Sequence, residues 1–242
     1  MNVILCGANG AMGKLIDSAM GSEIVARVSI DGENGVPRTF AELGSVEADV
    51  LIDFSHHTAI ADVLNYAKTV GCAVVVGTTG HTEEEKALIL EAAKSVPVFY
   101  SGNMSLGIAV LCRLAREAAS CFPDADIEIV EVHHNRKIDA PSGTAKMLFE
   151  AVKEVRPQSH AHCGRSGEGK REKEEIGISS LRMGAVVGIH EVHICTPSQT
   201  LTLRHEAHNR AMFADGAVAA ARFLVGKPAG LYNMNHFLEE CP

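Results

Sequence analysis

The sequence predicts an α/β fold, with a doubly wound parallel sheet at the N-terminus and a second domain of α+β type whose sheet is mostly antiparallel or mixed. Three observations carry that expectation. Short apolar runs alternate with helical patterns over residues 2–103, the order of a parallel sheet wrapped by helices. The first run ends in Gly7-Ala8-Asn9-Gly10-Ala11-Met12-Gly13, a glycine-rich strand-to-helix turn. After Ile176 the pattern changes to consecutive strand-like runs, which points to antiparallel pairing.

In chain order, Asn2 to Cys6 reads as a strand and Met12 to Met20 as a helix with apolar residues at helical spacing. Further strands are expected at Ile24 to Ile30, ending at Asp31, at Val50 to Phe54, and at Ala73 to Val76, which runs into Gly77-Thr78-Thr79-Gly80. Helices are expected at Thr58 to Val70 and Thr82 to Ser95, the second capped by Thr82 with three glutamates in its first turn. Pro97 to Tyr100 is the fifth strand, ending at Ser101-Gly102-Asn103, and the first domain is set at 1–103. The second, 104–209, holds a helix over Leu106 to Phe122, a strand over Asp126 to Val132, a helix from Ser142, and strands at Ile176 to Met183, Val186 to Cys195 and Leu201 to Ala207. The last helix, Arg210 to Val225 within about 210–242, is expected to pack back on the first domain.

Composition excludes several function classes. A hydrophobic content of 46% is enough to bury a core, and a net charge of −8 argues against a nucleic-acid footprint. The longest apolar run, around Ala48 to Phe54, is broken by Asp49 and Asp53, far short of the ~18 residues of a membrane span. The chain opens on a strand rather than a secretory signal, and its seven cysteines are odd in number and scattered, so a cytoplasmic protein with reduced thiols is expected. The mixed charges from Gly164 to Glu175, set among glycines, read as a mobile loop.

Glycines at positions 7, 10 and 13 let the backbone turn tightly and bring the amides of a helix N-terminus up to a pyrophosphate, the arrangement of a Rossmann-like dinucleotide domain. Asp31, 18 residues past Gly13, stands where an acidic side chain can hydrogen-bond the adenosine ribose. In a parallel sheet the loops at Gly77, Thr78 and Thr79 and at Ser101, Gly102, Asn103 and Met104 open on the same crevice as residues 7–12. Asp53 and Ser55 end the third strand, either as a ligand contact or as a helix cap.

The run Glu131 to Ala145 packs His133, His134, Arg136, Lys137 and Asp139 ahead of a helix start at Ser142. Ser142 is the expected N-cap, and the amides of Gly143 and Thr144 are donors at the positive end of that helix, suited to a carboxylate or phosphate. His133 and Lys137 are candidate proton donors. One domain then supplies a hydride donor, and the other a proton donor and an anion clamp.

Gly7-x-x-Gly10-x-Met12-Gly13, Gly77-Thr78-Thr79-Gly80 and above all His133-His134-x-x-Lys137-x-Asp139-Ala140-Pro141-Ser142-Gly143-Thr144-Ala145 resemble the 4-hydroxy-tetrahydrodipicolinate reductase family, also called dihydrodipicolinate reductase. The similarity runs on through Glu175-Ile176-Gly177, Arg182, Val187-Gly188-x-His190, Arg210-x-x-Phe213-Ala214 and Gly230-Leu231-Tyr232. It implies a reductase of diaminopimelate and lysine biosynthesis that acts on a cyclic imine dicarboxylate with NADH or NADPH. By that resemblance His133 is the proton donor and acceptor, Lys137 a second proton donor, and His134 with the amides of Gly143 and Thr144 holds substrate carboxylates. It also implies that residues 7–12, Asp31, 77–79 and 101–104 line the cofactor, and that the chain forms homotetramers through its second-domain sheets. Two departures bear on the cofactor: Ala11 stands where family members often carry Arg, and Gly32 where some have a basic residue. Asp31 without a basic neighbour should repel a 2′-phosphate, so NADH is expected to serve at least as well as NADPH, with Lys14, Arg27 and Arg38 as the cations that would spoil this.

Other readings carry less. His160-Ala161-His162-Cys163 and the histidines from His190 to His208 match no zinc spacing, so no metal is expected, and residues 160–163 read as loop. No cysteine sits in a nucleophile context, which disfavours a thiol-dependent semialdehyde dehydrogenase. A non-catalytic cofactor sensor would have no need of His133 and Lys137 beside an anion clamp.

Overall fold

The structure, a computed structural model, describes residues 1–240; Cys241 lies outside the described residues. The chain divides into two compact units, one of Met1–Leu106 with the segment from Ala211 onward, the other of Gly107–Arg210.

The first unit is built on a six-stranded sheet, all of it parallel. Its strands are β1 (Val3–Cys6), β2 (Ile24–Val28), β3 (Val50–Asp53), β4 (Ala73–Val76), β5 (Pro97–Tyr100) and, last in the chain, β11 (Gly230–Tyr232), in the order β11-β5-β4-β3-β1-β2. Every residue of β1, β3 and β4 is buried, because helices cover both faces and leave the central strands no wet side. On one face α3 (Ile60–Val70) and α4 (Glu83–Ala92) pack Val63, Leu64 and Ile89 against Ile4, Leu51 and Val74. Each such fully buried aliphatic contributes roughly 1.5–3 kcal/mol. On the other face α1 (Ala11–Met20) packs against α7 (Ala211–Leu224), which also lies on β3, β4 and β5. Gly216 permits this approach, since a Cβ there would stand within bonding distance of the Met104 carbonyl oxygen.

Three local differences from expectation have physical causes. Strand β2 stops at Val28, short of Ile30, because the chain folds back at once: Ser29 N–H donates to Pro37 O, and Gly32 takes a positive φ of 64° to bond Ser29 O. The short helix α2 (Phe40–Leu43), capped by Thr39, went unpredicted because four residues show no periodicity. The segment after α7 holds β11 and then α8 (Met234–Glu240), so the terminal stretch is not a single helix.

The second unit has a five-stranded sheet in the order β10-β9-β6-β8-β7, made of β6 (Asp126–His133), β7 (His160–Cys163), β8 (Glu175–Arg182), β9 (Gly188–Thr196) and β10 (Gln199–Ala207). The β10/β9 and β9/β6 pairs are antiparallel and the β6/β8 and β8/β7 pairs parallel, so the sheet is evenly mixed. One face is covered by α5 (Leu106–Cys121) and α6 (Gly143–Lys153), whose Ile108, Leu111, Leu148 and Val152 close a core with Ile127, Ile129, Ile176, Ile178, Val192 and Ile194. Residues 160–163, expected to be loop, form the edge strand β7; all four are exposed, so no apolar alternation marks them. The glycine-rich segment before β8 is tied down by Arg171, which bonds Glu128, the Ile127 carbonyl and Glu175.

Candidate active site

In the first unit every residue proposed for the cofactor lies beyond the C-terminal end of a parallel strand. Residues 7–12 follow β1, Asp31 follows β2, residues 77–79 follow β4 and residues 101–104 follow β5. The order in which successive strands are added reverses between β1 and β3, which makes the loop after β1 the crevice where an open α/β sheet takes its ligand. Gly7 has φ 80° and donates to Val28 O at 2.8 Å; a Cβ there would stand 2.3 Å from Phe54 O. Gly13 lets α1 sit directly on the turn, since a Cβ there would lie 2.2 Å from Gly7 O. Gly10 is the N-cap of α1, and no side chain caps that end, so the helix presents backbone donors there. These are the close approaches a pyrophosphate cradle needs, and the residues present fit a dinucleotide.

Around the cradle, Asn9 Nδ2 donates to Asp31 Oδ1 at 2.5 Å, and Glu33 N–H donates to the same oxygen at 3.1 Å. The Asn9 bond, with that of Glu33, holds the Asp31 carboxyl below its usual range. Arg27 is committed to Asp17, whereas Arg38 Nη2 donates to Asp31 O at 3.3 Å. Asp53, whose role the sequence left open, is neither a helix cap nor a surface ligand contact. It is 1% exposed and clasps two loops, accepting from Ser55 Oγ at 2.5 Å and Thr78 Oγ1 at 2.7 Å. Burial pushes its carboxyl up. Met104 is buried, and its carbonyl faces Gly216.

The second unit gathers the other predicted residues where its sheet leaves the core. Along β6 the inward positions are Ile127, Ile129, Glu131 and His133, so the face that is apolar for two residues becomes charged for the next two. The register sets Glu131 beside Ser180 of β8 and His190 of β9, and His133 beside Arg182. Helix α6 starts against this polar end; Ser142 caps it by accepting from Ala145 N–H at 3.2 Å, with Gly143 and Thr144 in its first turn. His133 Nδ1 lies 2.5 Å from Glu131 Oε2, and His190 Nε2 lies 3.2 Å from Ser142 Oγ. Burial, with His133 nearby, lowers His190 to about 4. His134 is lowered by desolvation and by the cations Arg136, Arg210 and Lys137, a positive field suited to a dianion. Lys137 Nζ also has a carboxylate partner, Asp139 Oδ1 at 2.8 Å.

The N-terminal model of the dihydrodipicolinate reductase family matches residues 1–104 and the C-terminal model matches residues 107–238. The chain belongs to this family. It is 42% identical over 251 residues to the 4-hydroxy-tetrahydrodipicolinate reductase of Caldanaerobacter subterraneus subsp. tengcongensis, with 99% of each chain covered. To the enzyme of that name from Campylobacter jejuni it is 42% identical over 238 residues, with 96% of each covered. Among solved structures, the dipicolinate-bound dihydrodipicolinate reductase of Paenisporosarcina sp. TG-14 superposes with a TM-score of 0.81 at 25% identity, covering 97% of this chain and 98% of that one. A Corynebacterium glutamicum diaminopimelate dehydrogenase, at a TM-score of 0.58 and 11% identity with 97% and 92% covered, shares the fold alone. The chain is therefore an NAD(P)-dependent reductase.

Thiol chemistry finds no support in this member of the family. Burial pushes Cys6, Cys72 and Cys112 up, the last two to about 11, the reverse of an activated nucleophile. His160 and His162 of β7 pair with Glu172 and Glu175, and no group of three metal-binding side chains occurs among the described residues. No helix among them is long and apolar enough to cross a membrane. Sequence reasoning gave no role to Glu131, Arg182 or His190. The signal for Glu131 and His190 was the alternation of β6 and β9, which carries them onto an inward face, whereas β8 does not alternate and Arg182 is placed by its register beside His133.

Proposed function

We propose that this reductase converts 4-hydroxy-tetrahydrodipicolinate, by way of dihydrodipicolinate, to tetrahydrodipicolinate in diaminopimelate and lysine biosynthesis, using NADH at least as well as NADPH. The observation that carries the reading is the convergence of His133, His134, Lys137 and the capped N-terminus of α6 at one end of one sheet, under a positive field. A cyclic imine dicarboxylate needs two anion partners and one proton, and those groups provide them. His134 and the amides of Gly143 and Thr144 hold the carboxylates, His133 donates the proton with Lys137 as second donor, and the bound nicotinamide supplies a hydride.

In the first unit Gly7, Ala8, Asn9, Gly10, Ala11 and Met12 cradle the pyrophosphate, and Asp31 takes the ribose hydroxyls. Thr78 offers backbone rather than hydroxyl, which Asp53 occupies, while Thr79 and residues 101–104 line the same crevice. The assembly we propose is a cytoplasmic homotetramer joined through the second-unit sheet, whose face away from α5 and α6 has no helix of its own unit upon it. Sedimentation equilibrium tests the stoichiometry.

A coupled assay that generates the cyclic imine from pyruvate and aspartate semialdehyde tests the activity through loss of reduced nicotinamide absorbance. Replacing His133 by Gln or Lys137 by Ala should each lower kcat roughly 100-fold or more while leaving cofactor affinity unchanged. Near wild-type kcat in both variants would remove the assignment, and no oxidation above background by the wild type would remove the function.

A further inference from the structure

Glu131 is 0% exposed, yet both of its oxygens are spent on groups of the candidate site rather than on the core. Oε2 accepts from His133 Nδ1 at 2.5 Å and from Arg182 Nη1 at 2.8 Å. Oε1 accepts from Arg182 Nη2 at 2.8 Å and from the backbone N–H of Ser142 at 3.1 Å. Arg182, bound at both carboxylate oxygens, donates also to Asp139 O at 2.6 Å, so the guanidinium is locked between strand and loop. One carboxylate thus joins the strand that carries the proton donor to the residue that caps the anion-binding helix.

Building on the reading of His133 as proton donor, we propose that Glu131 is a positioning residue: with Arg182 it fixes the neutral imidazole with its hydrogen on Nδ1 and registers that ring against the N-terminus of α6. Burial alone would drive the Glu131 carboxyl up, but hydrogen bonds from Arg182, Ser180 and His133 hold it at about 2, so it stays an anion acceptor. Nε2 is then the nitrogen left for the substrate. Gly188 of β9 leaves room beside it, since a Cβ there would lie 3.1 Å from Nε2.

In the protonation step the N–H bond at Nε2 of the imidazolium breaks, and its electron pair returns to the ring. The proton goes to the carbon of the enamine anion left by hydride addition, whose π pair forms the new C–H bond. The imidazole ends neutral with its hydrogen on Nδ1, bonded to Glu131 before and after, and Glu131 itself takes no proton. A neutral amide in place of Glu131 no longer selects that tautomer, and a ring with its hydrogen on Nε2 has no acceptor site there for reprotonation.

The test is Glu131→Gln in the full-length enzyme. We expect kcat to fall about 100-fold, the cofactor Kd to stay within twofold, and the ¹⁵N shifts of the neutral His133 ring to move from the Nδ1–H form toward the Nε2–H form. A folded variant that keeps kcat within threefold, or keeps the Nδ1–H tautomer, overturns the proposal. Should Glu131→Gln fail to fold, Arg182→Gln carries the test, with an expected loss of about tenfold in kcat and a mixed tautomer; wild-type kcat and tautomer there overturn it equally. The tautomer is read without turnover, so an enzyme inert toward the cyclic imine defeats the functional reading and leaves the positioning of His133 to be judged by its spectrum.

Discussion

Asp31 stands exposed past the end of β2, with Asn9 on its carboxylate and Arg38 on its carbonyl. The expected parity or advantage of NADH rests on Asp31 repelling a 2′-phosphate and on Gly32 providing no cation. Arg38 supplies from a distance what Gly32 lacks: its stem lies over that glycine, where a Cβ would sit 2.5 Å from Nε. Among the described residues its guanidinium bonds only that carbonyl, and it can turn toward a phosphate. Arg38→Ala should therefore lower kcat/KM for NADPH about tenfold, the worth of one charge-assisted contact, and leave NADH within twofold. Equal losses for both cofactors would show that Arg38 does nothing for selection. Lys14, whose charge also bears on the Asp31 carboxyl, is the control cation.

Glycines in the first loop divide by what their missing side chain makes possible. Gly13→Ala puts a methyl 2.2 Å from Gly7 O and 2.6 Å from Ala8 O, both backbone, so α1 must lift off the turn. We expect a loss of about 3 kcal/mol in urea denaturation. Gly10→Ala meets only Gly7 O, at 3.2 Å, so stability should hold within about 1 kcal/mol while NADH binding weakens. Similar denaturation midpoints for the two variants would contradict this division. Elements such as β4, β5 and the Thr82 cap of α4 were legible because apolar runs bounded by turn glycines, or a capping box, mark them locally. Edge strands β7 and β11 were not, because one is wholly exposed and the other three residues long; only backbone pairing with a neighbour makes them strands. His133, Lys137 and Ser142 stood out as a dense polar run. Arg182 and His190, which bond Glu131 and Ser142, did not, since they come from β8 and β9 and only the register brings them to this end of β6.

The buried titratable groups of the first unit oppose one another as pH falls, because burial raises Asp53 and lowers His81, whereas in the second unit His190 and Glu131 act together. In the first unit Asp53 is raised by burial, so ionised Asp53 costs stability at neutral pH and that cost is relieved as pH falls. In the second unit both principal displacements run the other way. His190 is neutral in the fold down to about 4 against an ordinary 6.5, so below 6.5 the unfolded chain binds a proton that the folded chain refuses. The stability it contributes is whole above pH 6.5 and is lost as pH falls toward 4, about 3 kcal/mol in all at about 1.4 kcal/mol for each tenfold rise in proton activity. Glu131, held at about 2 against 4.5, adds a second loss that begins near pH 4.5 and is complete only below 2. The thermal midpoint followed by far-ultraviolet circular dichroism should thus fall by several degrees between pH 6.5 and 4. His190→Gln, which keeps a hydrogen-bonding side chain beside Ser142 but does not titrate, should flatten most of that slope while leaving the descent below pH 4.5. A wild-type midpoint constant from pH 6.5 to 4, or an unchanged slope in the variant, would mean that His190 is not the group that makes the second unit acid-labile.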